Sequence, residues 1–187
     1  MIIRVTPPVD YPVTITGARD FLQVTDTTDD HTINMLIGSA VEYCEGYMQQ
    51  ALMPRTIVES YRTWPCNFLR WNPVLEVVDV KYYDEDNVLQ TYDEANYEID
   101  HRDAIAYVRL RTDVTFPTVY DRADAIQITY RAGYEPYGSI PASLYHAVLL
   151  ELRHAYDFRT NEKLDSSPYR IASERLMNNH IVYTYRI

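Results

Sequence analysis

Apolar side chains recur at helical spacing over two long stretches of the chain. The first, from about Asp29 to Leu52, has apolar residues three and four positions apart, and Pro54 follows it. The second, from Pro141 to about Arg159, is apolar on most sides and carries its proline in the first turn, where a helix tolerates it. These spacings predict two long helices. Because each has a broad apolar face, we expect the two helices to pack on each other.

A shorter helix precedes the first long one. Residues 18–22 follow Thr14 and Thr16, and either threonine can cap a helix by accepting a hydrogen bond from a free backbone N–H. Thr27 and Asp30 then stand three positions apart, which is the spacing of a capping box. The pattern predicts an N-terminal helix pair.

The middle of the chain has the two-residue periodicity of β-strands. In residues 74–83, side chains such as Val80 and Tyr82 share one face and alternate with side chains of the other face. Residues 84–87 supply a turn, and residues 88–92 return as the second strand of a hairpin. Strands that follow one another without helices between them favour an antiparallel sheet. The predicted strands are 56–62, 74–83, 88–92, 97–100, 106–110 and 125–130.

The end of the chain has its own pattern behind a polar break at residues 160–168. Arg175 and Leu176 are placed to close a short helix. Large apolar and aromatic side chains then alternate at Ile181, Tyr183, Tyr185 and Ile187. Because a strand is stable only within a sheet, we predict that residues 179–187 form an arm that binds another chain through these four side chains. The alternative, an added edge strand in the chain's own sheet, stays open.

Together these elements predict an α+β fold. The N-terminal helix pair and the C-terminal helix are expected to pack with an antiparallel β-sheet and its hairpins, and an extended C-terminal arm follows. We place one domain at residues 1–165, with helices at 14–53 and 141–159 and strands at 56–131. The arm takes residues 166–187.

Composition narrows the function classes. The 187 residues include 17 basic and 27 acidic side chains, which gives a formal net charge of −10. Tight binding of nucleic acid and docking on an anionic membrane both depend on Lys and Arg, so both are disfavoured. Cys44 and Cys66 lack metal-type spacing, as expected in a reducing compartment, and His146 and His154 are too far apart to share a metal ion. We expect neither a signal peptide nor a membrane span, and therefore an intracellular, soluble protein.

Catalytic and cofactor motifs are absent from the sequence, including any glycine-rich phosphate loop. The strongest enzymatic pattern is the acidic stretch at residues 84–103, in which Glu98, Asp100 and Asp103 could serve a metal-dependent nuclease or hydrolase. A solvated acidic edge is the favoured interpretation, because the stretch lacks the spacing of a calcium loop. We therefore predict no catalytic residue, no cofactor and no metal site.

Four stretches, in this order, resemble the head–tail connector (adaptor) proteins of long-tailed bacteriophages. Residues 16–24 and Asp29-Asp30 are similar to the N-terminal helical pair of that family. Residues 72–84 resemble its proline-led hairpin strand, and residues 126–134 its strand ending in an alanine-glycine-tyrosine turn. Residues 140–159 resemble its closing helix, which begins with proline and ends tyrosine–x–x–arginine.

The sequence departs from the family pattern in two places. The hairpin turn carries Asn87 where the family has glycine, and asparagine also adopts left-handed backbone conformations. Beyond Pro168 no family pattern is matched, so the role of the tail rests on its own residues.

The resemblance implies a non-enzymatic virion protein that forms a homo-oligomeric, dodecameric ring. Such a ring docks below the portal protein after DNA packaging and provides the attachment site for a stopper or tail protein. It is assembled in the host cytoplasm, resides in the neck of the virion, and lets DNA pass its acidic lumen without specific binding. Two alternatives to this reading are the metal-dependent nuclease or hydrolase and a monomeric binding module that never forms rings.

Overall fold

The computed structural model describes residues 2–8, 10–64, 69–102, 105–111, 114–135, 139–159 and 168–181. It confirms the predicted α+β class, with α-helices and antiparallel β-sheets. The chain divides into two compact units. The sheet unit comprises Met1–Pro8 and Pro54–Tyr134, and the helical unit comprises Val9–Met53 and Glu135–Ile187.

Four α-helices are present among the described residues, and all belong to the helical unit. They are α1 (Ile15–Leu22), α2 (Asp30–Met48), α3 (Ala142–Phe158) and α4 (Pro168–Asn178). The predicted packing of the two long helices is confirmed, because α2 lies against α3. Helix α4 also packs on α3 and α2, and α1 packs on α2 and α3. The buried apolar side chains of the long helices include Ile33, Ile37, Val41, Leu144, Val148 and Leu152. No helix in the described ranges is long and apolar enough to cross a membrane.

Of the two predicted helix caps, the one at the start of α1 is confirmed and the one at the start of α2 is wrong. Thr14 caps α1 as predicted, since its hydroxyl accepts a hydrogen bond from the N–H of Gly17 at 3.1 Å. The capping box at Thr27 and Asp30 is wrong, because α2 begins only at Asp30 and Thr27 lies in the preceding turn. Asp29 is the N-cap residue, and its side chain does not cap the helix.

Helix α2 ends at Met48, four residues before the predicted Leu52. Gln49 adopts the left-handed conformation with φ of 57°, which turns the backbone out of the helix. The buried carboxylate of Glu45 then accepts a hydrogen bond from the N–H of Leu52 at 2.8 Å. Ala51 and Leu52 are fully buried although they follow the helix. The apolar pattern therefore continues past the helix because the folded-back segment lines the same core.

The strands belong to the sheet unit. They are β1 (Ile2–Val5), β2 (Arg55–Tyr61), β3 (Val74–Tyr83), β4 (Leu89–Thr91), β5 (Tyr97–Arg102), β6 (Ile105–Leu110) and β7 (Ile126–Ala132). The first sheet has the order β1-β2-β7-β3-β4, and β5 pairs with β6 in a second sheet. Every pairing is antiparallel, as predicted. All six predicted strands are present, and β1 is an addition that the sequence did not predict.

The hairpin between β3 and β4 has the predicted turn. Asn87 has φ of 61°, so asparagine adopts a left-handed conformation at the turn position where the head–tail connector family has glycine. The N–H of Asn87 donates to the carbonyl of Asp84 at 2.9 Å. Strand β4 is exposed along its whole length and forms one edge of the sheet.

The predicted start of the C-terminal arm at residue 166 is wrong, because a helix follows there. Residues 168–178 form α4, whose Ser173 and Met177 are buried in the helical unit. A segment that leaves the unit can therefore begin only after this helix. Residues 182–187 lie outside the described residues, so the arm itself, and the role of residues 1–165 as one connector domain, stay predictions.

Truncation of Leu152 is expected to lower the free energy of unfolding by about 2–5 kcal/mol, because its side chain is fully buried on α3. Leu149, on the neighbouring face of the same helix, is only partly buried. Leu149→Ala is therefore the matched control and should cost clearly less than Leu152→Ala in urea denaturation. Equal losses for the two variants would contradict the packing of α3.

Candidate interaction surfaces

The acidic stretch that could have formed a metal site is used to build turns. One carboxylate oxygen of Asp84 accepts hydrogen bonds from the N–H groups of Asp86 and Val88 at 3.1 and 2.9 Å. Its other oxygen accepts from the side-chain amide of Gln90 at 2.7 Å. These bonds, first of all the one from Val88, lower the pKa of Asp84. Both carboxylate oxygens of Asp84, which a metal ion would need as ligands, thus accept hydrogen bonds within the hairpin.

Two of the three residues of the nuclease alternative lie beside an arginine. Asp100 on β5 forms an ion pair with Arg109 on β6 at 3.0 Å, and the exposed Glu98 is the register partner of Arg109. Asp103 lies outside the described residues. Within the described ranges, no three His, Cys, Asp or Glu side chains are grouped to hold a metal ion.

The two histidines of α3 lie in different environments. His146 is exposed, whereas His154 is buried and its Nδ1 has no hydrogen-bond partner among the described residues. Burial lowers the pKa of His154, which favours its neutral form. The two rings therefore do not form one site.

The stretches that carry the family resemblance contact one another within each unit. In the helical unit, Asp29 accepts hydrogen bonds from the hydroxyl of Tyr156 at 3.1 Å and from the guanidinium of Arg159 at 3.1 and 3.2 Å. The guanidinium of Arg153 also donates to the carbonyl of Leu22 at the end of α1, at 3.4 Å. The tyrosine–x–x–arginine end of α3 thus binds the N-cap residue of α2, and Arg153, one turn earlier, binds the end of α1.

The sheet unit has a similar joint. The N–H of Gly133 donates to the carbonyl of Pro73 at 2.9 Å, and Ala132 is the register partner of Val74. Gly133 has φ of 132°, a conformation that favours glycine over residues with a side chain. The proline-led strand and the alanine-glycine-tyrosine turn therefore support each other, and these motifs serve the fold.

Several polar contacts hold helix α4 to the helical unit, in addition to its buried Met177. Glu151 on α3, only 2% exposed, accepts hydrogen bonds from Ser173 and, at 3.2 Å, from the guanidinium of Arg170. On the other side, the hydroxyl of Tyr43 on α2 donates to Glu174 at 2.8 Å. Because each contact joins α4 to another helix, the position of α4 is fixed by several directional bonds.

The start of the predicted arm is fixed as well. The carbonyl of His180 accepts a hydrogen bond from the side-chain amide of Gln50 at 2.5 Å, and its Nε2 lies 2.7 Å from the hydroxyl of Ser143. Ile181 follows and is partly buried. The other three proposed partner-binding residues, Tyr183, Tyr185 and Ile187, lie outside the described residues. Any arm therefore begins at a defined point next to the start of α3.

An open apolar groove lies between α3 and α4, and we call it the α3–α4 groove. Its volume is about 590 Å³. Its lining includes His146, Leu150, Ile171, Ala172, Arg175 and Leu176. Ile171 is 44% exposed and presents its side chain to solvent. The groove was not predicted from the sequence, although the apolar residues of 171–177 were a signal for it.

A second exposed apolar surface is the tip of the β3–β4 hairpin, residues 84–89. Val88 is 53% exposed and Leu89 is 45% exposed, next to the carboxylates of the turn. The guanidinium of Arg122 donates to the side-chain oxygen of Asn87 at 3.0 Å, and it stacks over the ring of Tyr83 at 3.7 Å. Arg122 therefore supports the hairpin tip through contacts with Asn87 and Tyr83. Two apolar residues directly after an acidic turn were the sequence signal for it.

No protein-family model matches the chain, and no curated protein is similar to it in sequence. Solved structures do share its fold. A chain from the neck of an empty GTA particle, computed with C6 symmetry, has a TM-score of 0.81 at 17% sequence identity. A chain from the virion of a native gene transfer agent (GTA) particle has a TM-score of 0.79 at 18% identity. A third, from the neck of a native GTA particle computed with C12 symmetry, has a TM-score of 0.74 at 16% identity. Each likeness covers 100% of this chain and 98% of the other, so the whole chain has the fold of these particle proteins.

Proposed function

We propose that this chain is a structural neck protein of a phage-like particle. It forms a ring, of dodecameric size, that docks below the portal after DNA packaging and carries the attachment site for a stopper or tail protein. One observation carries the proposal: the fold matches, over its whole length, chains taken from GTA necks and virions. Neck structures computed with C6 and C12 symmetry support a ring of repeated subunits.

The chemistry of the described residues supports a structural role over an enzymatic one. The carboxylates of Asp84 and Asp100 are engaged in a turn and in an ion pair. The family-like motifs hold elements of the fold together. A net charge of −10 suits a channel through which DNA passes without sticking, because like charges oppose phosphate contacts. The site of action is then the virion neck, and assembly takes place in the host cytoplasm.

The C-terminal arm is the proposed contact with the partner chain. Ile181, Tyr183, Tyr185 and Ile187 would lie on one face of a strand that joins a sheet of the portal or of an adjacent subunit. The fixed position of His180 supports this, because an arm that starts from a defined point loses less freedom on binding.

Mass measurement in solution and on DNA-filled heads tests the proposed function. We expect the purified protein to bind heads that contain the portal, and negative-stain images of those heads should show an added ring below it. Heads that lack the portal are the control. A protein that stays monomeric in both cases would favour the single-partner binding module. A rise in melting temperature with a divalent metal, together with metal-dependent cleavage of DNA, would favour the nuclease.

A further inference from the structure

We infer that the hairpin tip of one copy docks into the α3–α4 groove of the next copy in the ring. This inference rests on the proposed function, which requires repeated contacts between identical subunits. It names the two surfaces that make those contacts. A contact between two different patches of the same chain is heterologous, and it closes into a ring when its rotation is right.

The groove presents an apolar floor with positive charge at its rim. Leu150 and Leu176 supply apolar surface, and Ile171 is exposed beside them. Arg175 projects from α4 and is exposed, and no carboxylate in the described ranges forms an ion pair with it. His146 stands on the opposite side, on α3, and is also exposed. Such a groove selects an apolar segment that carries negative charge.

The hairpin tip has the complementary chemistry. Val88 and Leu89 are two adjacent exposed apolar side chains, and Asp84, Glu85 and Asp86 precede them. Glu85 and Asp86 are exposed, so their carboxylates are available to an arginine of another molecule. Because Val88 and Leu89 are exposed in the chain by itself, a contact that covers them comes from a second molecule.

The occupant is a second copy because the chain itself supplies both halves of the match. The groove is apolar with a basic rim, and the tip is apolar with an acidic rim. The tip is also preorganised: Asp84 bonds two N–H groups of the turn, and Arg122 binds Asn87. A segment that is already ordered loses little conformational entropy on docking. The ring brings such surfaces together at high local concentration.

Cysteine cross-linking tests the contact directly. A chain that carries both Val88→Cys and Ile171→Cys, with Cys66 changed to serine, should give a ladder of covalent oligomers on mild oxidation. The native Cys44 is buried, and burial raises the pKa of its thiol to about 12, so it should not react. The matched control is Val78→Cys with Ile171→Cys, because Val78 is 54% exposed, close to the 53% of Val88. We expect no ladder from the control.

Charge reversal provides an independent measurement. Arg175→Glu and Asp86→Arg should each weaken self-association at least about tenfold, measured by analytical ultracentrifugation, because each puts like charges together. The two changes in one chain should restore association. Arg62→Glu is the control, since it makes the same charge change at an exposed site in the sheet unit. The ion pair with Asp121 that it breaks is exposed on both sides and contributes little to stability.

The outcomes separate this inference from the proposed function. If the wild type forms rings but the variant with Val88→Cys and Ile171→Cys gives no ladder, the inference is overturned and the proposed ring stands. A groove filled by the chain's own tail would overturn it too. That case would show as an intramolecular cross-link between Ile171→Cys and Tyr185→Cys. A chain that never self-associates, in solution or on heads, would overturn both the inference and the proposed ring.

Discussion

Replacing Glu59 by leucine is expected to lower the free energy of unfolding by about 3–5 kcal/mol, the loss typical of removing one partner from a buried charged or hydrogen-bonded group. Glu59 lies on β2 and its side chain is fully buried. Its carboxylate accepts hydrogen bonds from the hydroxyls of Tyr61 and Tyr130 and from the N–H of Arg70. The bond from Tyr130 is 2.5 Å long, and that from Arg70 is 3.0 Å long.

The size of the effect follows from the groups that would lose their acceptor. Burial, and after it the nearby Glu59, raises the pKa of Tyr130, so this hydroxyl stays protonated and remains a donor. Tyr130 is fully buried on β7, and water cannot replace the lost acceptor there. Tyr61 is only partly buried, so its hydroxyl can turn to solvent. The main cost therefore comes from Tyr130 and from the backbone at Arg70.

A double-mutant cycle separates this cost from a general loss of packing. Glu59→Leu combined with Tyr130→Phe should lose less stability in urea denaturation than the sum of the single variants, because the second change removes the orphaned hydroxyl. Glu59→Gln keeps an acceptor oxygen and should lose less than Glu59→Leu. Strictly additive losses, or a Glu59→Leu variant as stable as the wild type, would contradict the role of this carboxylate.

The long helices were predictable because their apolar faces are continuous. The periodicity in residues 29–52 and 141–159 marks the side chains that meet between α2 and α3. The exact end of α2 was not predictable, because the segment after the helix folds back and the N–H of Leu52 donates to the carboxylate of Glu45. That bond depends on the left-handed conformation of Gln49, and a glutamine at this position does not predict such a reversal of the backbone.

Strand β1 was not predicted, and of α4 only the end, at Arg175 and Leu176, was predicted. Strand β1 is only four residues long, and it is stabilised by pairing with β2 more than fifty residues later. Helix α4 buries Met177 and is also held by Glu151, Tyr43 and other polar groups on α2 and α3. Hydrophobic periodicity does not detect the directional polar bonds that contribute to this interface.

The surfaces of the protein differ in how far the sequence predicted them. The acidic stretch was predicted to be a solvated edge, and Asp84 and Asp100 lie in a turn and an ion pair. The α3–α4 groove requires two helices side by side, and of α4 only the end, at Arg175 and Leu176, was predicted. The alternating tail was visible in the sequence because strand periodicity needs no knowledge of the partner.

Removal of residues 182–187 is expected to abolish attachment to DNA-filled heads while the melting temperature stays nearly unchanged. The cut is placed after Ile181 because His180 is bonded to Gln50 and Ser143, and a shorter chain would lose those contacts. The tail has the alternation of a strand, and an arm gains its stability only in the partner's sheet. Folding of the subunit should therefore not depend on it. Rings should still form, since the contact between hairpin tip and groove does not involve the tail.

Two full-length variants test the face of the arm that binds. Tyr183→Asp with Tyr185→Asp changes the predicted binding face, and Val182→Asp with Thr184→Asp changes the opposite face by the same charge. The first pair should prevent attachment to heads, and the second should allow it, because alternate side chains of a strand point to opposite faces. Attachment is read by co-sedimentation with heads, and folding by thermal melting. If the truncated protein instead melts far lower or becomes insoluble, the tail is part of the chain's own sheet, and the arm is excluded.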